Sequence, residues 1–114
     1  MTYYMNLHPQ PFALIANRQK TIELRLYDEK RQQIKPGDTI VFSSTQKPED
    51  TITAEVKMLH VFPSFEELYN TLPLDQCGYL TDELSTASPK DMEIYYSPAQ
   101  QEQYGVVGIE IVLA

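Results

Sequence analysis

The chain is 114 residues long, 42% hydrophobic and 22% charged, with a net charge of −7. A chain this short buries roughly two thirds of its unfolded surface, enough for one core. Residues 1–114 are therefore expected to form a single domain, not a disordered segment, and the acidic balance excludes a surface that grips nucleic acid throughout, because phosphate affinity comes from Lys and Arg.

Residues 3–7 (YYMNL) are aromatic and apolar and predict a first strand. Pro9 and Pro11 open a helix over residues 10–18, where Phe12, Ala13, Ile15 and Ala16 fall at helical spacing. Residues 20–27 (KTIELRLY) alternate: Ile22, Leu24 and Leu26 on one face, Thr21, Glu23, Arg25 and Tyr27 on the other. A period of two predicts a half-buried strand. Residues 28–34 (DEKRQQI) break the alternation as a loop or single helical turn. Pro36-Gly37-Asp38 is a turn, since Pro fixes φ and Gly allows it to be positive. A strand follows over 39–44, then a polar turn, then the longest strand over 51–62. The apolar phase of that strand changes near Met58, which predicts a β-bulge and a bend.

Ser64 caps a helix that carries acids in its first turn and ends before Pro73. Residues 73–88 read as irregular. Ser88-Pro89 and Ser97-Pro98 each open a short helix with Ser as cap and Pro first, running to about Tyr95 and Gln103. Gly105 stops the second, and residues 106–113 form a closing strand. Five strands with short helices in the crossovers imply a β-rich α+β fold whose sheet is closed or nearly closed.

Charge is unevenly spread. Residues 1–35 hold six basic groups against three acids, and residues 36–114 hold three against thirteen. A local basic cluster suits one small anionic or polar ligand, or a short stretch of RNA, better than a duplex; otherwise it is a solvated face. Within it, Lys20, Thr21, Glu23, Arg25 and Tyr27 form a compact polar set. Arg25 offers a planar fork to a phosphate or base edge, Glu23 accepts from an amine or holds Arg25, and Lys20 reaches a phosphate. Tyr27 would stack on a base. Lys30 and Arg31 are either phosphate contacts at a cleft mouth or part of a solvated loop. The alternative for the strand is a Glu–Arg pair that only solubilises an exposed face.

Elsewhere the sequence is bland. His8 and His60 lack a second ligand at metal spacing, so no metal is expected. Cys77 is the single cysteine, which rules out an internal disulfide and suits a reducing compartment. It has no nearby His or basic partner in sequence that would make it a nucleophile. Phe65, Leu68, Tyr69 and Leu72 read as packing, while Tyr95, Tyr96 and Tyr104 either wall a base pocket or pack in the core. There is no Walker loop, GxGxxG, GxSxG or CxxC, and no cofactor is expected. The N-terminal residues lack a basic flank and an apolar h-region, and no run nears the ~20 apolar residues of a membrane helix. Cytoplasm is the expected location.

Pro11-Phe12, Lys20-Thr21-x-Glu23-x-Arg25, Gly37-Asp38 and the closing YGVVGIEI stand in an order that resembles the ASCH family, the activating-signal-cointegrator homology domains. The resemblance covers residues 3–62 and 97–113, leaving 63–96 unmatched. It implies a PUA-like β-barrel of five to six strands beside short helices, with a cleft lined by the Lys-Thr-x-Glu-x-Arg strand. It also implies binding of short single-stranded RNA or of a nucleoside or nucleotide. The alternative it offers is a small hydrolase: an N4-acetylcytidine-type amidohydrolase or a single-stranded ribonuclease, with Lys20 and Glu23 as catalytic groups. The resemblance implies that members with amidohydrolase chemistry use a Lys, a Thr nucleophile three residues later and a distant Glu. Here Glu23 stands where that Thr would be, so the hydroxyl nucleophile is missing.

Overall fold

The computed structural model describes residues 1–114. Its strands are β1 (Thr2–Leu7), β2 (Ile22–Leu26), β3 (Thr39–Ser44), β4 (Thr51–Phe62) and β5 (Val106–Leu113). Its α-helices are α1 (Pro9–Ala16), α2 (Phe65–Thr71) and α3 (Pro98–Tyr104). Short 3-10 helices cover Arg31–Gln33, Leu74–Gln76, Thr81–Thr86 and Pro89–Ile94. The segment opened by Ser88-Pro89 is thus 3-10 where an ordinary helix was expected, and the stretch 73–88 holds two more such turns. No helix is long and apolar enough to cross a membrane.

The sheet runs β1-β3-β4-β5-β2. β1 and β3 are parallel and the other pairs antiparallel. The expected bulge in β4 is present as a register shift between Val56 and Met58. Gly37 takes the positive φ its turn requires, at 93°. The sheet curls into a half-barrel and does not close, since β1 and β2 end the order without pairing. There are five strands and no sixth to seal the gap. One side chain crosses it: Arg25 of β2 donates from Nη2 to the Asn6 carbonyl of β1, 2.9 Å away.

Two apolar clusters hold this shape. The concave one joins Met5 and Leu7, Ile40 and Phe42, Ala54 and Val56, and Val107, Ile109 and Ile111, with Ile15 of α1 beside them. The second lies on the other face of β2, where Ile22, Leu24 and Leu26 meet Phe65 and Leu68 of α2 and Val106. β2 is therefore buried on both faces, which corrects the half-buried reading. On the concave side Glu23 stands opposite Ile109 and Arg25 opposite Val107. Those positions would be apolar in a simple core, and Glu23 is only 3% exposed. The fold thus places charge inside the curl, at its open seam.

A cleft at the open seam

Lys20 lies just before β2, and its backbone N–H is held by the Leu14 carbonyl at 3.0 Å. The next residue, Thr21, donates to the Gln76 carbonyl at 2.9 Å, so the 3-10 turn after α2 runs along the end of β2. These anchors fix the three charged side chains. Glu23 Oε1 meets Lys20 Nζ at 2.7 Å and Glu23 Oε2 meets Arg25 Nε at 2.7 Å. Their side chains are 10% (Lys20), 4% (Glu23) and 15% (Arg25) exposed. One carboxylate thus divides its two oxygens between two cations. Burial disfavours charge on Glu23, but Lys20 and Arg25 outweigh it and hold the carboxyl below the usual range. Burial likewise opposes charge on Arg25, while Glu23 and then Tyr96 more than restore it and raise its pKa.

The triad lines a cleft of about 450 Å3 between the β1–α1 corner and the segment 69–96. Asn6, His8 and Pro11 form the near wall. The far wall is aromatic. Tyr79 packs edge-on against Tyr69, Tyr69 edge-on against Phe65, and Phe65 stacks on Tyr96 with ring planes 18° apart. Tyr95 continues the row to the mouth, where it is 54% exposed.

Hydrogen-bond direction along this wall is forced. Tyr79 donates to Asp91 Oδ2 at 2.7 Å, because an ionised carboxylate only accepts. The 2.6 Å contact between the Tyr69 and Tyr79 hydroxyls must then run from Tyr69 to Tyr79. The same Asp91 oxygen accepts the Ser88 N–H at 3.1 Å, so one carboxylate caps the 3-10 helix and anchors the tyrosines. Burial pushes the Tyr69 hydroxyl up to about 12, and burial with these hydrogen bonds pushes Tyr79 up further. Cys77 also lines the cleft, where burial pushes its thiol up to about 12 despite Lys20 nearby.

Of the residues singled out from the sequence, Lys20, Glu23 and Arg25 come together at the cleft. Thr21 lies outside it, with its hydroxyl on Gln76 Oε1 at 3.2 Å. Tyr27 packs against the concave core. Lys30 is exposed, and Arg31 is tied to Asp28 at 2.9 Å, neither at the cleft. His60 is paired with Glu110 across β4 and β5 at 2.9 Å. The residues that sequence reasoning missed are Tyr69, Cys77, Gly78, Tyr79 and Asp91. Tyr69 reads from the sequence only as helical packing, and Asp91 only as an acid in the first turn after the Ser88 cap, which does not reveal that it also holds Tyr79.

The family model of the ASCH domain matches residues 5–113. No curated protein gives a significant match. Among solved structures, the hypothetical protein PH0355 superposes with a TM-score of 0.82 at 34% identity, each chain covered over 100% of its length. PF0455 from Pyrococcus furiosus superposes with a TM-score of 0.69 at 36% identity, over 99% of this chain and 97% of that one. ASCH from Zymomonas mobilis reaches a TM-score of 0.60 at 13% identity, over 96% of this chain and 65% of the other. That last likeness is one of fold, a small α+β half-barrel of the PUA-like kind.

Proposed function

The chain belongs to the ASCH domain family, and we propose that its cleft binds a short single-stranded RNA segment or a nucleoside or nucleotide. The observation that carries this reading is the buried Lys20–Glu23–Arg25 triad facing a row of tyrosines across one cleft. Unpaired bases are recognised by stacking on aromatic rings combined with polar contacts to their edges. Tyr95 and Tyr96 supply ring faces, and Arg25 and Lys20 supply donors. The cleft volume of about 450 Å3 lies in the range for one small ligand. With the net charge of −7, that favours a single-stranded or monomeric ligand over a duplex. The lone, buried Cys77 suits a reducing compartment such as the cytoplasm.

A hydrolytic role fits less well. Both oxygens of Glu23 are engaged by cations, which leaves it poorly placed as a general base. Thr21 lies outside the cleft, and Cys77 is kept as the thiol. The test is anisotropy of labelled single-stranded RNA titrated at two salt concentrations, alongside incubation with N4-acetylcytidine. Salt-sensitive binding abolished by Arg25→Ala, with both substrates left intact, is the expected result. Binding indifferent to Arg25→Ala would remove the reading, and turnover of either substrate would replace it with the hydrolase.

A further inference from the structure

A second hollow, of about 390 Å3, adjoins the cleft. Asp75, Leu80 and Thr81 belong to it alone, whereas Lys20, Gly78 and Tyr79 line both spaces. The partition is therefore thin, and Gly78 keeps it so. Gly78 has a φ of +109°, and a Cβ there would lie 3.3 Å from Lys20 Cδ and 3.6 Å from Nζ. Any larger residue is strained in its backbone and crowds the lysine stem. The Lys20 ammonium carries three donors. Glu23 takes one from the floor of the first cleft, at 2.7 Å.

Each hollow has the size of a site for one small ligand unit. A single nucleoside would fill one and leave the other to water. We propose that they are adjoining subsites for two consecutive nucleosides of a single strand, with Lys20 at the partition to meet the phosphodiester between them. This rests on the reading of the first cleft as a nucleoside site. The lining of the second hollow agrees in its polarity. Asp75 repels a phosphate, which keeps the phosphate at the partition, and accepts from a sugar hydroxyl or a base amine instead. Thr81 adds a hydroxyl, and Leu80 with the shared Tyr79 gives an apolar flank for a sugar or base. An acyl chain would find too much polarity there.

The experiment compares the full chain binding two probe sets by calorimetry: the homodinucleoside monophosphates of the four bases, and the matching nucleoside 5′-methylphosphates, which carry the same charge. The dinucleosides should bind roughly tenfold or more tightly, about 1.4 kcal/mol. Thr81→Trp, and independently Leu80→Trp, fill the second hollow and should collapse that ratio towards one. A melting curve like that of the unaltered protein shows that each variant is folded. Equal affinity for both probe sets in the unaltered protein, or a ratio that survives both tryptophans, overturns the second subsite while leaving the first cleft standing. Absence of binding by every probe overturns the nucleoside reading itself, and the subsite with it.

Discussion

Replacing Glu23 by Gln keeps size and shape but removes the charge that lies between two cations. An exposed ion pair contributes about 0–1 kcal/mol. Removing one partner of a buried pair costs about 3–5 kcal/mol, because the other charge is left uncompensated. Here two cations are left, and the Gln amide can accept from only one of them while turning a donor towards the other. The small exposure of Lys20 and Arg25, 10% and 15%, lets water relieve part of this. The lower end of the range, about 3 kcal/mol, is the expected loss. For a domain of this length that is a fall in Tm of roughly 12 °C.

The pH dependence of the same pair of proteins adds a second readout. The folded-state pKa of Glu23 lies below its ordinary 4.5, so its contribution is fully present above that pH. It is lost as pH falls from 4.5 through the lower folded value, because the unfolded chain takes up the proton first. Calorimetric melts from neutral pH into acid should show the gap between the two proteins narrowing below pH 4.5. Other carboxylates that are depressed in the fold, Asp38 and Glu110, titrate in both proteins and cancel in the difference. A Glu23→Gln protein that melts within about 4 °C of the original at neutral pH would refute the argument, since about 1 kcal/mol is what an exposed pair gives.

Arg25→Lys keeps the charge but loses the planar fork that reaches both Glu23 and Asn6. It should cost about 1–2 kcal/mol, speed amide exchange in β1 and weaken RNA binding; unchanged exchange would show that the seam does not depend on Arg25. Cys77, its thiol lifted from an ordinary 9.0 to about 12, should react with iodoacetamide at pH 8 at least ~100-fold more slowly folded than in urea, and equal rates would contradict its burial. Tyr79→Phe breaks the relay from Tyr69 to Asp91 and should cost about 1–2 kcal/mol, read by urea titration. A smaller loss than that of a surface tyrosine would mean the relay is idle.

The strand order of the sheet was beyond the sequence, but most of its strands were legible. Alternation marked β2, and the change of apolar phase near Met58 marked the bulge that β4 carries. Ser64 and Ser97 marked the starts of α2 and α3, because capping is local chemistry. The charged half of the cleft was legible for the same reason, since Lys20, Glu23 and Arg25 lie within six consecutive residues and two of them share a strand face. The aromatic half was not. Tyr69 lies in α2 and Asp91 in the 3-10 helix Pro89–Ile94, while Tyr79 and Tyr96 lie in the connecting segments. They meet only in the packed fold, through Phe65, the Tyr69–Tyr79 contact and the sharing of Asp91. Periodicity carries no information about contacts of that kind. Tyr27 shows the converse failure: it alternates with Arg25 yet lies past the end of β2, where it packs on the core.

A fully closed barrel would have put a backbone ladder where β1 and β2 now face each other. That ladder would satisfy the edges more cheaply than a guanidinium reaching one carbonyl. Nor is the triad explained by stability, because replacing a buried charge network by apolar side chains of similar volume is often neutral or stabilising by about 1–4 kcal/mol. The triple variant Lys20→Met, Glu23→Leu, Arg25→Met should therefore recover most of the Tm lost in Glu23→Gln while binding no RNA. A seam that is costly to leave open, and charges that an apolar core would do without, both make sense if the gap between β1 and β2 is the site. A triple variant as unstable as Glu23→Gln would instead mean that the charges are there to hold the two edges together, and the cleft would lose its strongest claim to a ligand.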